Sequence, residues 1–227
     1  DSVTRIAKAA GRGSADLLDV ACEPQLVRLA IQCSDIPVCV SAVDPNLFPP
    51  AMDAGASMIE IGNFDSFYAE GRIFESQEVL ALTIETKKLL PDVFLSVTVP
   101  HTLPLDKQAE LAVDLVEQGA DLIQTEGGTR AKPLNAGSLG LIEKAAPTLA
   151  AAQIISQALK TSNCVVPVIC ASGLSSITAP MAIAAGASGV GVGSVVNRLS
   201  NEVEMVAAVI GIREAMLSAR CLSKQFL

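Results

Sequence analysis

Short apolar runs recur along the chain at Leu17–Cys22, Pro37–Ser41, Met58–Gly62, Pro91–Val97, Leu122–Glu126, Val166–Gly173 and Gly189–Gly193, with helical patterns between several of them. Each run reads as a strand. Two kinds of entrance alternate along the series. Four strands follow a helix-ending Gly and a small and a polar residue: Gly13-Ser14-Ala15-Asp16, Gly55-Ala56-Ser57, Gly119-Ala120-Asp121 and Gly186-Ala187-Ser188. Gly suits the left-handed C-cap of the preceding helix, and the polar residue opens the loop. The other three begin at or beside Pro37, Pro91 and Pro167, because proline is tolerated where a ladder has not yet begun. Asp106 to Gln118 predicts a helix with Ala109, Ala112, Val113 and Val116 as its apolar stripe and Asp106 as N-cap.

Strands alternating with helices make either a doubly wound open sheet or a closed barrel. The end of the chain points to the barrel. Val166-Pro167-Val168-Ile169-Cys170-Ala171-Ser172-Gly173 and Gly189-Val190-Gly191-Val192-Gly193-Ser194 are two Gly/Ser-tipped strands one helix apart. In a phosphate-binding TIM (β/α)8 barrel the loops after the seventh and eighth strands bring small residues and free backbone N–H groups together around an anion. If these are the seventh and eighth strands, the alternation demands a proline-type first strand ahead of Asp1, with Ser2–Ala10 as the first helix. The open-sheet alternative requires no further strand. The expected fold is therefore an α/β TIM barrel of the phosphate-binding type lacking its first strand, in one domain over residues 1–227.

Composition narrows the function. Half of the 227 residues are hydrophobic but only 3% are aromatic, so the core is expected to be Ala, Val, Ile and Leu, as in parallel strands buried on both faces. A net charge of -8 opposes nonspecific attraction to nucleic acid or an anionic membrane, and neither partner is expected. Thr161–Asn197 carries no charge, but its prolines and glycines divide it into strand, turn, helix and strand rather than a membrane span. The first residues match no signal or transit peptide. The six cysteines lack C-x-x-C spacing and read as buried small hydrophobes in a reducing compartment.

The polar residues at expected strand ends are Asp19, Ser41, Glu60, Asn63, Thr98, His101, Gln124 and Glu126. Glu60, Glu126 and the single histidine, His101, are the candidate catalytic acids and bases. The competing reading pairs Asp19, Glu60 and Glu126 across the barrel mouth. His101 lies in Val99-Pro100-His101-Thr102-Leu103-Pro104, the loop after the fifth strand of such a barrel. A lone histidine with scattered carboxylates lacks ligand spacing, so no metal is assigned. No lysine falls in or at the tip of an expected strand, which leaves a Schiff-base mechanism without a nucleophile. Ser172, Gly173, Gly193 and Ser194 are the candidate phosphate-binding residues. Thr178 is expected to cap the helix after the seventh strand, and Ser194 to begin a short one. The loop Gly127–Ser138, with Arg130 and Lys132, reads either as a lid over an anion or as a docking loop.

Glu60-Ile61-Gly62-Asn63-Phe64-Asp65-Ser66-Phe67-Tyr68, Ser96-Val97-Thr98-Val99-Pro100-His101-Thr102-Leu103-Pro104, Gln124–Thr129, Gly140–Leu149 and Cys170–Ser176 resemble the hypothetical chloroplast reading frame twenty-three family of cyanobacteria and plastids. These motifs cover nearly the whole chain. The resemblance implies an aldolase-type TIM barrel in a photosynthetic lineage, in the chloroplast stroma or cyanobacterial cytoplasm, with a further strand-like segment ahead of the position of Asp1. It implies no reaction. Two functions remain: an isomerase or lyase, or a binding protein, for a small phosphorylated molecule; and a non-catalytic subunit or assembly factor of a photosynthetic protein complex. No cofactor is assigned. Flavin mononucleotide (FMN) would use the same closing motif, but few aromatic residues exist to stack its ring.

Overall fold

The computed structural model describes residues 2–127 and 132–225, with side chains to Cys221. The elements in chain order are α1 (Ser2–Arg12), β1 (Leu18–Ala21), α2 (Pro24–Cys33), β2 (Val38–Ala42), α3 (Phe48–Asp53), β3 (Met58–Ile61), α4 (Asp65–Tyr68), α5 (Ser76–Leu89), β4 (Leu95–Val99), α6 (Leu105–Glu117), β5 (Leu122–Thr125), α7 (Gly137–Thr161), β6 (Val168–Ala171), α8 (Ala179–Ala184), β7 (Gly189–Gly191), α9 (Ser194–Asn197) and α10 (Glu202–Gln225). All seven strands join one parallel sheet in the order β1 to β7. Among the described residues β7 does not pair back to β1. That is the arrangement of an eight-stranded barrel less one strand.

The strand register makes the sheet two-faced. Val38, Val40, Ile59, Ile61, Leu95, Val97, Val99 and Ile123 are essentially inaccessible and form the core with the surrounding helices, joined by Val27, Val79, Leu111, Leu115 and Ile155. The alternate positions carry Asp19, Ser41, Glu60, Ser96, Thr98 and Gln124. This second face is polar, contrary to the expectation of apolar burial on both faces. It faces the interior of the barrel, where side chains bond one another.

Strand boundaries shift by one or two residues from the expected ones except at β4, which begins at Leu95, because Pro91–Phe94 form the turn before it. Gly55, Gly119 and Gly186 take positive φ as expected (107°, 98° and 94°). At the first repeat the left-handed residue is Ser14 (φ 59°), not Gly13. A Cβ on Gly13 would lie 2.6 Å from Val209, so this glycine serves close packing against α10. The α6 helix begins after Pro104, which holds the N-cap position, leaving Asp106 in the first turn. Its buried face is Gln108, Leu111, Ala112 and Leu115, rotated from the expected stripe. Thr178 does precede α8, but its hydroxyl accepts from Ser175 N–H (2.9 Å) instead of capping the helix. Of the cysteines, Cys22, Cys39 and Cys170 are buried, whereas Cys33 and Cys164 are half-buried and Cys221 is exposed.

Two side-chain ties hold neighbouring strands. Between β5 and β6 only two residue pairs are in register, and buried hydroxyls extend the seam. Thr125 Oγ1 accepts from Ala171 N–H (3.2 Å) and meets Thr148 Oγ1 (2.6 Å), while Thr148 Oγ1 also lies 2.5 Å from Ala171 O. At the base of the sheet Asp121 Oδ2 accepts from Leu95 N–H (2.9 Å) and from Lys87 Nζ (2.8 Å). Asp121→Ala removes both bonds and should cost about 1–1.5 kcal/mol, lowering Tm by about 2–6 °C. Lys87→Met leaves the Leu95 bond intact but also removes the Lys87 Nζ bond to Val93 O (3.0 Å); it should cost less, and equal losses in calorimetry would assign the stabilisation to the lysine's two bonds rather than to Leu95 N–H.

Candidate functional site

The polar face concentrates its hydrogen bonds on Glu60 of β3. Thr98 Oγ1 (3.0 Å) and Gln124 Nε2 (2.8 Å) donate to its Oε1, and Ser96 Oγ lies 3.4 Å from Oε2. Gly62 leaves room for this carboxyl: a Cβ there would fall 2.4 Å from Glu60 Oε1 and 2.8 Å from Thr98 Oγ1. Burial pushes the Glu60 carboxyl up to about 8, and the charges of Asp19 and Glu126 push the same way. Asp19 itself is exposed at the edge of the sheet and accepts from Ser41 Oγ (2.5 Å). Asp19, Glu60 and Glu126 share no hydrogen bond; each carboxyl is paired with groups from neighbouring strands or loops.

The second cluster stands over the ends of β4 and β5. Glu126 Oε2 receives Tyr68 OH (2.9 Å), His101 N–H (3.2 Å) and His101 Nδ1 (2.8 Å). Because a carboxylate only accepts, Nδ1 is the ring donor to Glu126, and Nε2 is the ring nitrogen turned away from it. His101 Nε2 is shut off from solvent and has no hydrogen-bond partner among the described residues; the same holds for Asp65 Oδ1. Asp65, His101 and Glu126 each place a ligand atom within 4.8 Å of the other two. Burial, and then the charge of Glu126, raise the Asp65 carboxyl above its ordinary range, while His101 opposes the shift. Burial and Glu126 likewise hold the Tyr68 hydroxyl protonated.

Tyr68 and Asp65 were absent from the expected site. Both lie on α4, and the segment around it is fixed by aromatic packing. Phe64 stacks on Phe74 (4.3 Å between centroids), Phe67 and Tyr68 meet Phe74 edge-on, and the Arg72 guanidinium lies 4.4 Å from the Phe74 centroid. Tyr68 also packs edge-on against the His101 ring at 4.9 Å. A cluster of Phe and Tyr between residues 64 and 74 was the available signal in a chain otherwise poor in aromatics.

The closing motif occupies the ends of β6 and β7. Ala171 and Gly191 are in register, so Ser172-Gly173 and Gly193-Ser194 follow side by side. Ser172 and Gly173 both take φ 74°, and Ser194 opens α9 as expected. Gly193 and Ser194 are exposed, and the N–H groups of Gly173, Gly193 and Ser194 donate to nothing among the described residues. Lys144 of α7 packs over Gly173, its carbonyl oxygen 2.8 Å and its Cγ 3.3 Å from where a Cβ would stand. Gly127, next to Glu126, abuts Ser172 in the same way (3.3 Å), which sets the motif beside the His101 cluster. Asn63 is exposed at φ 64° and belongs to the turn into α4. Gly128–Ala131, with Arg130, lie outside the described residues; Lys132 is exposed. Two cavities, of about 410 and 450 Å³, open at the base near Ser156 and Lys160 and between α6 and α7, and neither contains a candidate catalytic residue.

A parallel sheet ringed by helices, with its polar groups gathered at the strand ends, defines an aldolase-type α/β barrel. Solved structures share it. The chain is similar to a 3-hexulose-6-phosphate synthase (TM-score 0.64, 15% identity, 94% of each chain covered) and to a protein described as QR15, an aldolase (TM-score 0.65, 19% identity, 97% of this chain and 90% of that one). At these identities the likeness is one of fold. The chain belongs to the family described as "Protein of unknown function (DUF561)", which matches residues 1–222. It is 43% identical over 205 residues to the uncharacterized protein ycf23 of Cyanophora paradoxa, covering 90% of this chain and 82% of that one. The resemblance read from the sequence motifs is thereby confirmed, as is the aldolase-type barrel.

In the folded protein Glu60 holds its proton up to about 8, whereas in the unfolded chain it ionises near 4.5. The folded state binds more protons between these values, so stability falls as pH rises through that window, by up to ~1.4 kcal/mol per unit. Glu60→Gln should flatten this part of the profile and melt above the wild type at pH 8. An unchanged slope in Glu60→Gln would place the titrating group elsewhere.

Proposed function

We propose that the protein binds a small phosphorylated metabolite at the mouth of the barrel and acts on it by proton transfer, as an isomerase or a lyase. The observation that carries this reading is the adjacency of two half-sites: unoccupied backbone donors at Gly173, Gly193 and Ser194, and a histidine whose Nδ1–H is committed to Glu126. Ser172, Gly173, Gly193 and Ser194 hold the phosphate. His101 is the proton-transfer group, with Glu126 and Tyr68 fixing its tautomer and orientation. Glu60, neutral at pH 7, offers a proton from the barrel interior. Several proteins of the same fold carry names that include a phosphorylated compound, such as thiamine phosphate pyrophosphorylase from Pyrococcus furiosus and 3-hexulose-6-phosphate synthase.

No lysine lies within a strand among the described residues, so the chemistry proposed requires no Schiff base. The aromatic rings of Phe64, Phe67, Tyr68 and Phe74 are committed to one another, which supports a metabolite rather than FMN. No helix among the described residues is long and apolar enough to cross a membrane, and the proposed setting is the chloroplast stroma or the cyanobacterial cytoplasm.

Thermal unfolding against a panel of phosphorylated metabolites tests this. Ligand at about a hundred times its Kd should stabilise by about 2.7 kcal/mol and raise Tm by about 5–10 °C. Ser194→Asp, which sets a carboxylate against the phosphate, should abolish the shift. Silence across a broad panel, with the protein folded, would overturn the metabolite reading in favour of a subunit or assembly factor of a photosynthetic complex.

A further inference from the structure

His101 Nε2 and Asp65 Oδ1 pose a problem that the phosphate-binding reading leaves open. Two electron-rich atoms are enclosed beside a third negative group, Glu126, and neither has a donor among the described residues. An unsatisfied buried polar atom costs ~1–3 kcal/mol, and two within one cluster call for a common occupant. Nε2 and Asp65 Oδ1 do not hydrogen-bond to each other. Water can donate to both atoms, but it leaves the two carboxylates uncompensated. A cation answers both demands.

We propose that Asp65 Oδ1 and His101 Nε2 ligate a divalent transition-metal ion, with Glu126 as the carboxylate behind the histidine. The arrangement has the form that metal-binding histidines take: one ring nitrogen on the ion, the other donating its N–H to a carboxylate that fixes the tautomer. Here that bond is His101 Nδ1 to Glu126 Oε2 at 2.8 Å, and Tyr68 OH and His101 N–H bring Oε2 to three donors. Glu126 is thus a positioning residue. Mixed nitrogen and oxygen ligation suits zinc, manganese, iron or cobalt better than calcium.

Metal bonds of ~2.1 Å set ligand atoms roughly 3.0–4.2 Å apart. Asp65, His101 and Glu126 each offer a ligand atom within 4.8 Å of the other two, a range from which side-chain adjustment on the short α4 reaches that spacing. Water and one oxygen of the metabolite complete the coordination, and the ion polarises that oxygen. The two ligands and the carboxylate behind them stand at positions 65, 101 and 126, with no short spacing between them, so only the fold assembles the set. The buried thiols of Cys22, Cys39 and Cys170 are held protonated by burial, Cys22 up to about 11, which disfavours them as competing ligands.

Cobalt(II) is the probe. The full chain, stripped with chelator and dialysed against Co²⁺ with no phosphate compound present, should bind one ion per chain. Its visible spectrum should show nitrogen and oxygen ligation without a thiolate-to-cobalt charge-transfer band. Asp65→Asn and His101→Ala should each weaken binding at least about tenfold, and Glu126→Gln by about 10–100-fold. Co²⁺ should raise the Tm of the wild type but not of Asp65→Asn, whose circular dichroism and Tm without metal confirm that it folds. Absence of stoichiometric binding, a charge-transfer band, or undiminished affinity in folded Asp65→Asn would each overturn the proposal. Ligation by Nε2 replaces the proton-transfer role given to His101 above and leaves the phosphate contacts of Gly173, Gly193 and Ser194 as they are, because proton and metal compete for the same lone pair. A phosphorylated metabolite that shifts Tm in chelator while Co²⁺ fails to bind would therefore leave His101 as the proton-transfer group and remove only the metal.

Discussion

The constraint on which the rest depends is that a parallel sheet in this barrel presents one face to its helices and the other to a confined interior lined with carboxyls. The helix face is satisfied by hydrophobic burial. The interior face is not, and each acidic group there finds a different remedy. Glu60 keeps its proton and collects hydroxyl and amide donors from β4 and β5. Glu126 gathers a phenol, an amide and an imidazole. Asp19, on the open edge of the sheet, accepts from Ser41 while the protein packed around its carboxyl pushes it up to about 6. The chemistry of the mouth follows from these separate solutions, since they push one carboxyl toward neutrality and leave the other free to orient a histidine.

Much of the barrel was legible in the chain. Gly-small-polar entrances and proline entrances mark strand beginnings because helix C-caps and unladdered strand ends impose those residues, and all seven strands form in the expected order, with β4 starting four residues beyond Pro91. The closing Gly/Ser pair was legible for the same reason, because only small residues let two neighbouring loops present backbone N–H groups. The two-faced character was present in the alternations Leu95-Ser96-Val97-Thr98-Val99 and Met58-Ile59-Glu60-Ile61. Hydrophobic composition obscured it, since an average over the chain cannot show that the polar minority shares one side.

The site was only half legible. His101 and Glu126 were marked by residue type and by position after strands, but their 2.8 Å contact depends on the relation of β4 to β5. Asp65 and Tyr68 gave weaker signals, because they belong to a one-turn helix whose position comes from tertiary packing, not from any periodicity of its own. The offset of the α6 face has a similar origin: Leu111 and Leu115 face the core because of where Pro104 starts the helix, while the sequence offered an equally apolar face of Ala and Val.

The aromatic clamp around Phe74 bears on how the mouth could change shape. Asp65 and Tyr68 lie on a short stretch bracketed by Asn63 and Gly71, two residues in left-handed conformation (φ 64° and 83°), while His101 and Glu126 are anchored to the sheet. The clamp ties the stretch together through Phe64, Phe67, Tyr68, Arg72 and Phe74. Phe64 and Phe74 are themselves fully buried in the main core, so the phenol and the aspartate are seated on the packing of the barrel itself. Loosening that packing would displace both from the imidazole together, so the surroundings of His101 are set by the same contacts that stabilise the fold.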